Sequence, residues 1–196
     1  MYNSKAKYVS TVAILSALAI VMALLKLEVP YPLLPYLKFD FAEIPSVIAL
    51  FTCDLKSSLL VAFIHFLILM TKGEFVPIGP VMKLTAVLST VLGLSLALKS
   101  SEETNVRRVA LGTIVAIVIR CTSMTVLNYL VLLFLLPDLI KVASSLLRCV
   151  ISIGTIDDLT CILLFTGLYN AIHAVMTVSL AFIVSRHVKA LILSTR

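Results

Sequence analysis

Two asparagines, Asn128 and Asn170, are the residues of this 196-residue chain best suited to bind something. Each sits within a long apolar run, and a primary amide carries donors and acceptors together. Polar groups in such runs are costly and mark either a binding site or a helix contact. Asn170 belongs to a stripe of Thr166, Asn170, His173 and Thr177, spaced i, i+4, i+7, i+11 on one helix face. Arg120, Met124 and Asn128 form a second stripe at i, i+4, i+8, with Thr122, Ser123 and Thr125 beside it. Amides offered by two separate helices suit a neutral, polar solute recognised through hydrogen bonds. The competing reading is interhelical glue, worth on average about 0.6 kcal/mol per contact. Arg120 is read as structural, paired with a carbonyl or a carboxylate. Thr166 and Thr177 are expected to bond back to their own helix.

The elements that must position these groups follow from composition. The chain is 61% hydrophobic and 13% charged, against roughly 45–50% and about 25% in a soluble domain. That balance disfavours a soluble enzyme, a disordered tail and a nucleic-acid-binding domain. It points to an all-α, multi-pass protein of the cell membrane, forming a single domain over 1–196. Six spans are expected: about Val9–Leu27, Glu43–Cys53, Leu59–Thr71, Val81–Leu98, Val109–Leu136 and Thr160–Ser185. The second is too short to cross a bilayer unaided, so it should be tilted or begin inside the protein. Pro30, Pro32 and Pro35 exclude a regular helix from the Glu28–Phe41 loop between helices one and two. Lys72–Pro80 is a second irregular loop, and Pro137–Leu159 reads as a mixed, weakly amphipathic stretch. Asn128 lies roughly 12 Å and Asn170 roughly 15 Å from the same end of their helices.

The net charge of +6 reports topology. With both termini in the cytoplasm, the inner side gathers Lys5, Lys7, Lys56, Lys99, Arg107, Arg108, Arg186, Lys189 and Arg196 against Asp54, Glu102 and Glu103. This arrangement obeys the positive-inside rule and puts the proline-rich loop outside. There is no phosphate-binding GxxxxGK[ST] loop, no HExxH and no GxSxG. No ATPase, metal site or enzymatic activity is therefore expected of the chain. Its four cysteines are scattered and read as small apolar packers. Ala13, Ala17, Ala19 and Ala23 make two small-xxx-small patterns, which let helices approach closely in lipid.

Four segments carry a family resemblance: ILSALAIVMALL (Ile14–Leu25) with Ala13 and Ala17, YPLLPYLKFDFAEIP (Tyr31–Pro45), RCTSMTVLNYLVLLFLLP (Arg120–Pro137) and YNAIHAVMTVSLAFIVSRHVKALI (Tyr169–Ile192). With these the chain resembles the substrate-capture S components of energy-coupling-factor (ECF) transporters, in particular their riboflavin-binding (RibU-type) group. The resemblance implies a six-helix fold that takes up one small-molecule vitamin from outside, with riboflavin as transported ligand and no cofactor. It also implies a complex with a transmembrane coupling subunit and two ATPase subunits. Carried over residue by residue, it assigns Asn128 and Asn170 to the flavin ring edge, with His173 beside them where the family commonly has lysine. The loop bearing Tyr36, Lys38 and Asp40 would close over the ligand, and Ala13 and Ala17 would face the coupling subunit. Gly79 matches the glycine of the family's helix-four motif and the residues after it do not. Lys83 there either takes over a contact or snorkels to the interface, the second being preferred. Thr52–Ser58 lacks the Gly or Pro usual in its loop. An S component for another vitamin or precursor, and a non-transporting membrane helper whose polar stripe only packs helices, are the alternatives.

Overall fold

The computed structural model describes residues 4–98, 105–150 and 157–194. Linker residues 99–104, and the side chains of Lys5, Lys7 and Lys189 used in the charge count, lie outside the described part, as does Arg196. In chain order come α1 (Ser4–Leu24), strands β1 (Glu28–Tyr31) and β2 (Leu34–Asp40), a 3-10 turn (Phe41–Glu43), α2 (Ile44–Thr52), α3 (Leu55–Lys72), α4 (Ile78–Leu98), α5 (Val106–Leu130) with a π-turn at Val131–Leu135, α6 (Asp138–Val150) and α7 (Asp158–Ser194). Four helical segments are long and apolar enough to cross a membrane: Leu55–Lys72, Ile78–Leu98, Val106–Leu135 and Asp158–His187. The apolar parts of α1 (Tyr8–Leu24) and of the α2 segment (Phe41–Thr52) are shorter. As expected, α2 starts inside the protein, with Ala42 and Glu43 both buried.

Two expectations need correction. The molecule is mostly helical but not all-α, because the proline-rich loop is an antiparallel β-hairpin. Glu28 pairs with Asp40, Val29 with Phe39 and Pro30 with Lys38. A two-stranded ribbon is all edge, so its prolines cost no ladder hydrogen bond on their outer side. The turn into it is set by Lys26, whose φ of 50° is left-handed. Lys26 N–H bonds Ala23 O (3.1 Å) and Leu27 N–H bonds Met22 O (3.0 Å), the closure that more often uses glycine. The second correction concerns Pro137–Leu159, which contains the sharply amphipathic α6. Lys141, Ser145 and Arg148 lie on one face, and Leu139, Ile140, Ala143 and Leu147 on the other.

The helices run back and forth between two ends of the bundle. At one end Tyr8 Oη reaches Asp54 Oδ1 (3.5 Å), and Asp54 caps α3 by accepting from Ser57 N–H (2.7 Å). At the other end the hairpin lies against the α3–α4 loop. One apolar core, including Val12, Leu15, Val47, Val61, Val91, Ala116 and Val178, fills the first end. A second, with Tyr31, Leu34, Leu132, Leu147, Ile162 and Tyr169, lies under the hairpin. Along α5 and α7 the stretch between these cores carries Arg120, Asn170 and His173. α4 and α5 approach closely, because Gly93 presses on the Ala116 backbone and Ser89 Oγ meets Ser123 Oγ at 2.8 Å.

Candidate functional site

A cavity of about 180 Å³ opens between the hairpin and the polar layer. Its apolar wall includes Leu69, Phe75, Ile78, Met82, Met124, Val131 and Leu132. Of the residues expected to bind, Asn128, Asn170, Tyr36, Lys38, Gly79 and Lys83 line it. Both asparagines are buried, and each amide nitrogen donates one turn back along its own helix: Asn128 Nδ2 to Met124 O (2.7 Å), Asn170 Nδ2 to Thr166 O (2.9 Å). A Cβ at Gly79 would run into the carbonyl oxygen of Glu74. The glycine thus lets the start of α4 fold tightly against the preceding loop.

His173 and Asp40 stand behind the wall. His173 Nδ1 meets Arg120 Nη2 at 2.9 Å and its Nε2 faces the Asp40 carbonyl at 3.3 Å. Asp40 is buried, and its carboxylate accepts from Ala42 N–H (2.9 Å) and Lys83 Nζ (2.5 Å). Lys83 therefore does not snorkel. It turns inward to Asp40 and Glu28, whose Oε2 lies 3.5 Å away. Thr166 and Thr177 also depart from expectation, since their buried hydroxyls have no hydrogen-bond partner among the described residues. Ala13 and Ala17 are remote from the cavity, on the exposed face of α1, while Ala19 and Ala23 turn toward the protein.

Charged groups complete the floor and rim, and among them Glu28, Glu43 and Glu74 were missed at the level of sequence. Arg120 pairs bidentately with Glu43, at 2.8 Å (Nη1–Oε2) and 3.3 Å (Nη2–Oε1), and both line the cavity. Of the two expected kinds of partner, a carbonyl or a carboxylate, Arg120 takes the carboxylate, and its identity was not foreseen. The available signal was Glu43 itself, an acid within an apolar segment that needs a counter-charge. At the rim, Lys38 Nζ bridges Glu28 (2.8 Å) on β1 and Glu74 (2.7 Å) on the α3–α4 loop. Burial alone would lower the Lys38 ammonium, but hydrogen bonds to Glu28 and Glu74 outweigh it and raise the pKa. The bond from Lys38 holds the Glu74 carboxyl below its usual range. Desolvation pushes the Tyr36 phenol up to about 12. Tyr169 Oη donates to Lys38 O at 2.5 Å, and its ring packs on Phe39 and Tyr31 with centroids 5.0 and 5.6 Å apart.

Residues 7–193 match the family described as ECF transporter, substrate-specific component. The chain belongs to that family. It is 30% identical over 177 residues to the riboflavin transporter RibU of Staphylococcus aureus (strain TCH60), a match covering 84% of this chain and 91% of that protein. A solved S component of a bacterial ECF transporter shares the fold, with a TM-score of 0.73 over 96% of this chain and 99% of the other at 24% identity. This substrate-specific component is thus a multi-pass membrane transport protein and not an enzyme. S components bind a small molecule within the membrane and pair with an energy-coupling module. In this S component the hairpin, α4, α5 and α7 each supply polar side chains to a single cavity.

Proposed function

We propose that this S component captures riboflavin, or a closely related flavin, and delivers it across the cell membrane as the substrate-binding subunit of an ECF-type ABC transporter. The observation that carries the reading is that Asn128 of α5 and Asn170 of α7 line one cavity beside an apolar wall, with charged groups at its floor and rim. A planar ring with imide and carbonyl edges needs amide partners at its rim and apolar side chains on its faces. Met124, Leu69 and Leu132 are available for the faces. The name of the 30%-identical relative supports the same ligand. Tyr36 and Lys38 would contact the ligand from the hairpin, Gly79 and Lys83 from α4. His173 and Asp40 would act one layer behind.

In this reading 1–196 is one domain and α1, α2, α3, α4, α5 and α7 are the six spans. Both termini are cytoplasmic, so the hairpin is an outer lid. A transmembrane coupling subunit and two ATPase subunits complete the transporter, with Ala13 and Ala17 against the coupling subunit. The visible absorption spectrum of the purified protein tests the ligand. A flavin band that disappears on dialysis and returns on adding riboflavin is expected. Tight binding of a different vitamin with no flavin uptake refutes the reading. Asn128→Ala should weaken riboflavin binding roughly 10- to 100-fold, because a buried ligand group loses its partner. Unchanged affinity with a lowered melting temperature would make Asn128 packing glue instead.

A further inference from the structure

A guanidinium has five N–H donors and no acceptor, and at Arg120 all five are in use. Nε donates to Asn170 Oδ1 (3.2 Å), Nη1 to Glu43 Oε2 (2.8 Å) and Thr90 Oγ1 (3.0 Å), and Nη2 to Glu43 Oε1 (3.3 Å) and His173 Nδ1 (2.9 Å). Arg120 borders the cavity yet keeps no donor for a ligand. It acts on the site through its neighbours. Because arginine only donates, the Asn170 atom facing it is the amide oxygen. Because the Thr166 carbonyl only accepts, the other end of that amide is the nitrogen. Asn170 is thus oriented from both sides, its oxygen held toward Arg120 and one N–H remaining. Asn128 is the complement. Its nitrogen is tied to Met124 O, and its Oδ1 has no partner among the described residues.

We infer that Arg120 is a positioning residue that sets the hydrogen-bond polarity of the cavity: it holds the Asn170 oxygen toward itself, so that α7 offers the remaining amide N–H and Asn128 supplies the acceptor. The site then selects a planar ligand that turns a carbonyl-type acceptor toward α7 and a ring N–H toward α5, the edge of a cyclic imide or ureide. The choice of a flavin as probe rests on the functional reading above. The coupling of Arg120 to Asn170 does not.

The test compares riboflavin with an analogue in which a ring carbonyl beside the imide N–H is replaced by an imino group, so that an acceptor becomes a donor. The wild-type protein should prefer riboflavin by about 100-fold or more. In Glu43→Gln/Arg120→Gln, which removes both charges together, the Asn170 amide loses the donor that fixes its oxygen and is oriented by the Thr166 carbonyl alone. The preference should then fall below about 10-fold. Arg120→Lys, which keeps the charge but has no Nε to hold Asn170, should relax it in the same direction. An undiminished preference in either folded variant overturns the inference. Ligand-free protein supplies a second arm. Asn170→Leu should lower the melting temperature by roughly 3 °C or more in the wild-type background and by about 1 °C or less in the double variant. Equal losses in the two backgrounds overturn the coupling. If wild-type protein binds no riboflavin while the coupling is measured, the flavin reading falls and the positioning role stands.

Discussion

Replacing Arg120 by glutamine is expected to be the most damaging single change to the ligand-free protein. The guanidinium and the Glu43 carboxylate are 1% and 2% exposed, so solvent cannot screen the carboxylate left behind. Among the described residues the variant leaves Glu43 with His173 Nε2 at 3.8 Å, beyond hydrogen-bond reach, and the more distant charge of Lys83. Removing one partner of such a pair costs about 3–5 kcal/mol. At roughly 2–4 °C per kcal/mol for a chain of this length, the melting temperature should drop by about 6–20 °C. The assay is a thermal ramp of ligand-free protein in one detergent, with monodispersity followed by size-exclusion chromatography. Glu43→Gln/Arg120→Gln should recover most of the loss, because neither charge is stranded. A single variant within about 2 °C of wild type, or a double variant no better than the worse single, would refute the reasoning.

Gly93→Ala would set a methyl group on the Ala116 backbone. It should cost about 1–3 kcal/mol by prying α4 from α5, read as a lowered melting temperature. Gly167→Ala, with nothing within 4 Å of the new carbon, is the control and should leave stability unchanged or raise it by up to about 1 kcal/mol. The Lys38–Glu74 bridge should show in the pH dependence of ligand release. The folded Glu74 carboxyl is depressed, so the bridge is complete above the ordinary glutamate value near about 4.3 and is lost as pH falls through the lower folded value. Lys38, raised by Glu28 and Glu74, holds its side of the bridge until pH rises past the ordinary lysine range. The riboflavin off-rate should therefore be flat at neutral pH and rise on strong acidification. With Glu74 half exposed, the rise should be no more than about fivefold, and it should be absent in Glu74→Gln. The same acid response in Glu74→Gln would remove the bridge from the account.

What the sequence revealed depended on how local the cause was. The runs within α3, α4, α5 and α7 are legible because hydropathy is a property of the segment itself. The short α2 is legible as a helix that must be tilted or start inside, because eleven or so residues cannot span a bilayer, and the structure shows the second. The hairpin was not, because its order comes from backbone pairing between Glu28–Pro30 and Lys38–Asp40. Pro30 and Pro35 advertise only what that segment cannot be. The amphipathic character of α6 is weak over Pro137–Leu159 as one stretch, because the flanking residues dilute the division of faces within Asp138–Val150. Asn128 and Asn170 could be named from spacing along single helices. The partners that orient Asn170 could not, since Glu43 and Arg120 are 77 positions apart and Thr90 and Arg120 are 30 apart. Only the fold brings them together.

The Arg120 cluster also bears on how the protein is made. An arginine near the middle of a membrane helix costs about 2.5–3.5 kcal/mol to insert while it is alone. Synthesis from the N-terminus delivers Glu43 and Thr90 before Arg120, so the partners for three of its five donors precede it into the bilayer. Asn170 and His173 follow some fifty residues later and close the remaining two. Order of birth and order of need thus coincide: α5 meets its counter-charge on arrival, and α7 docks on an ion pair already formed. A rearranged gene that placed α5 ahead of α2 would encode every contact seen here and would still force Arg120 into lipid without its carboxylate.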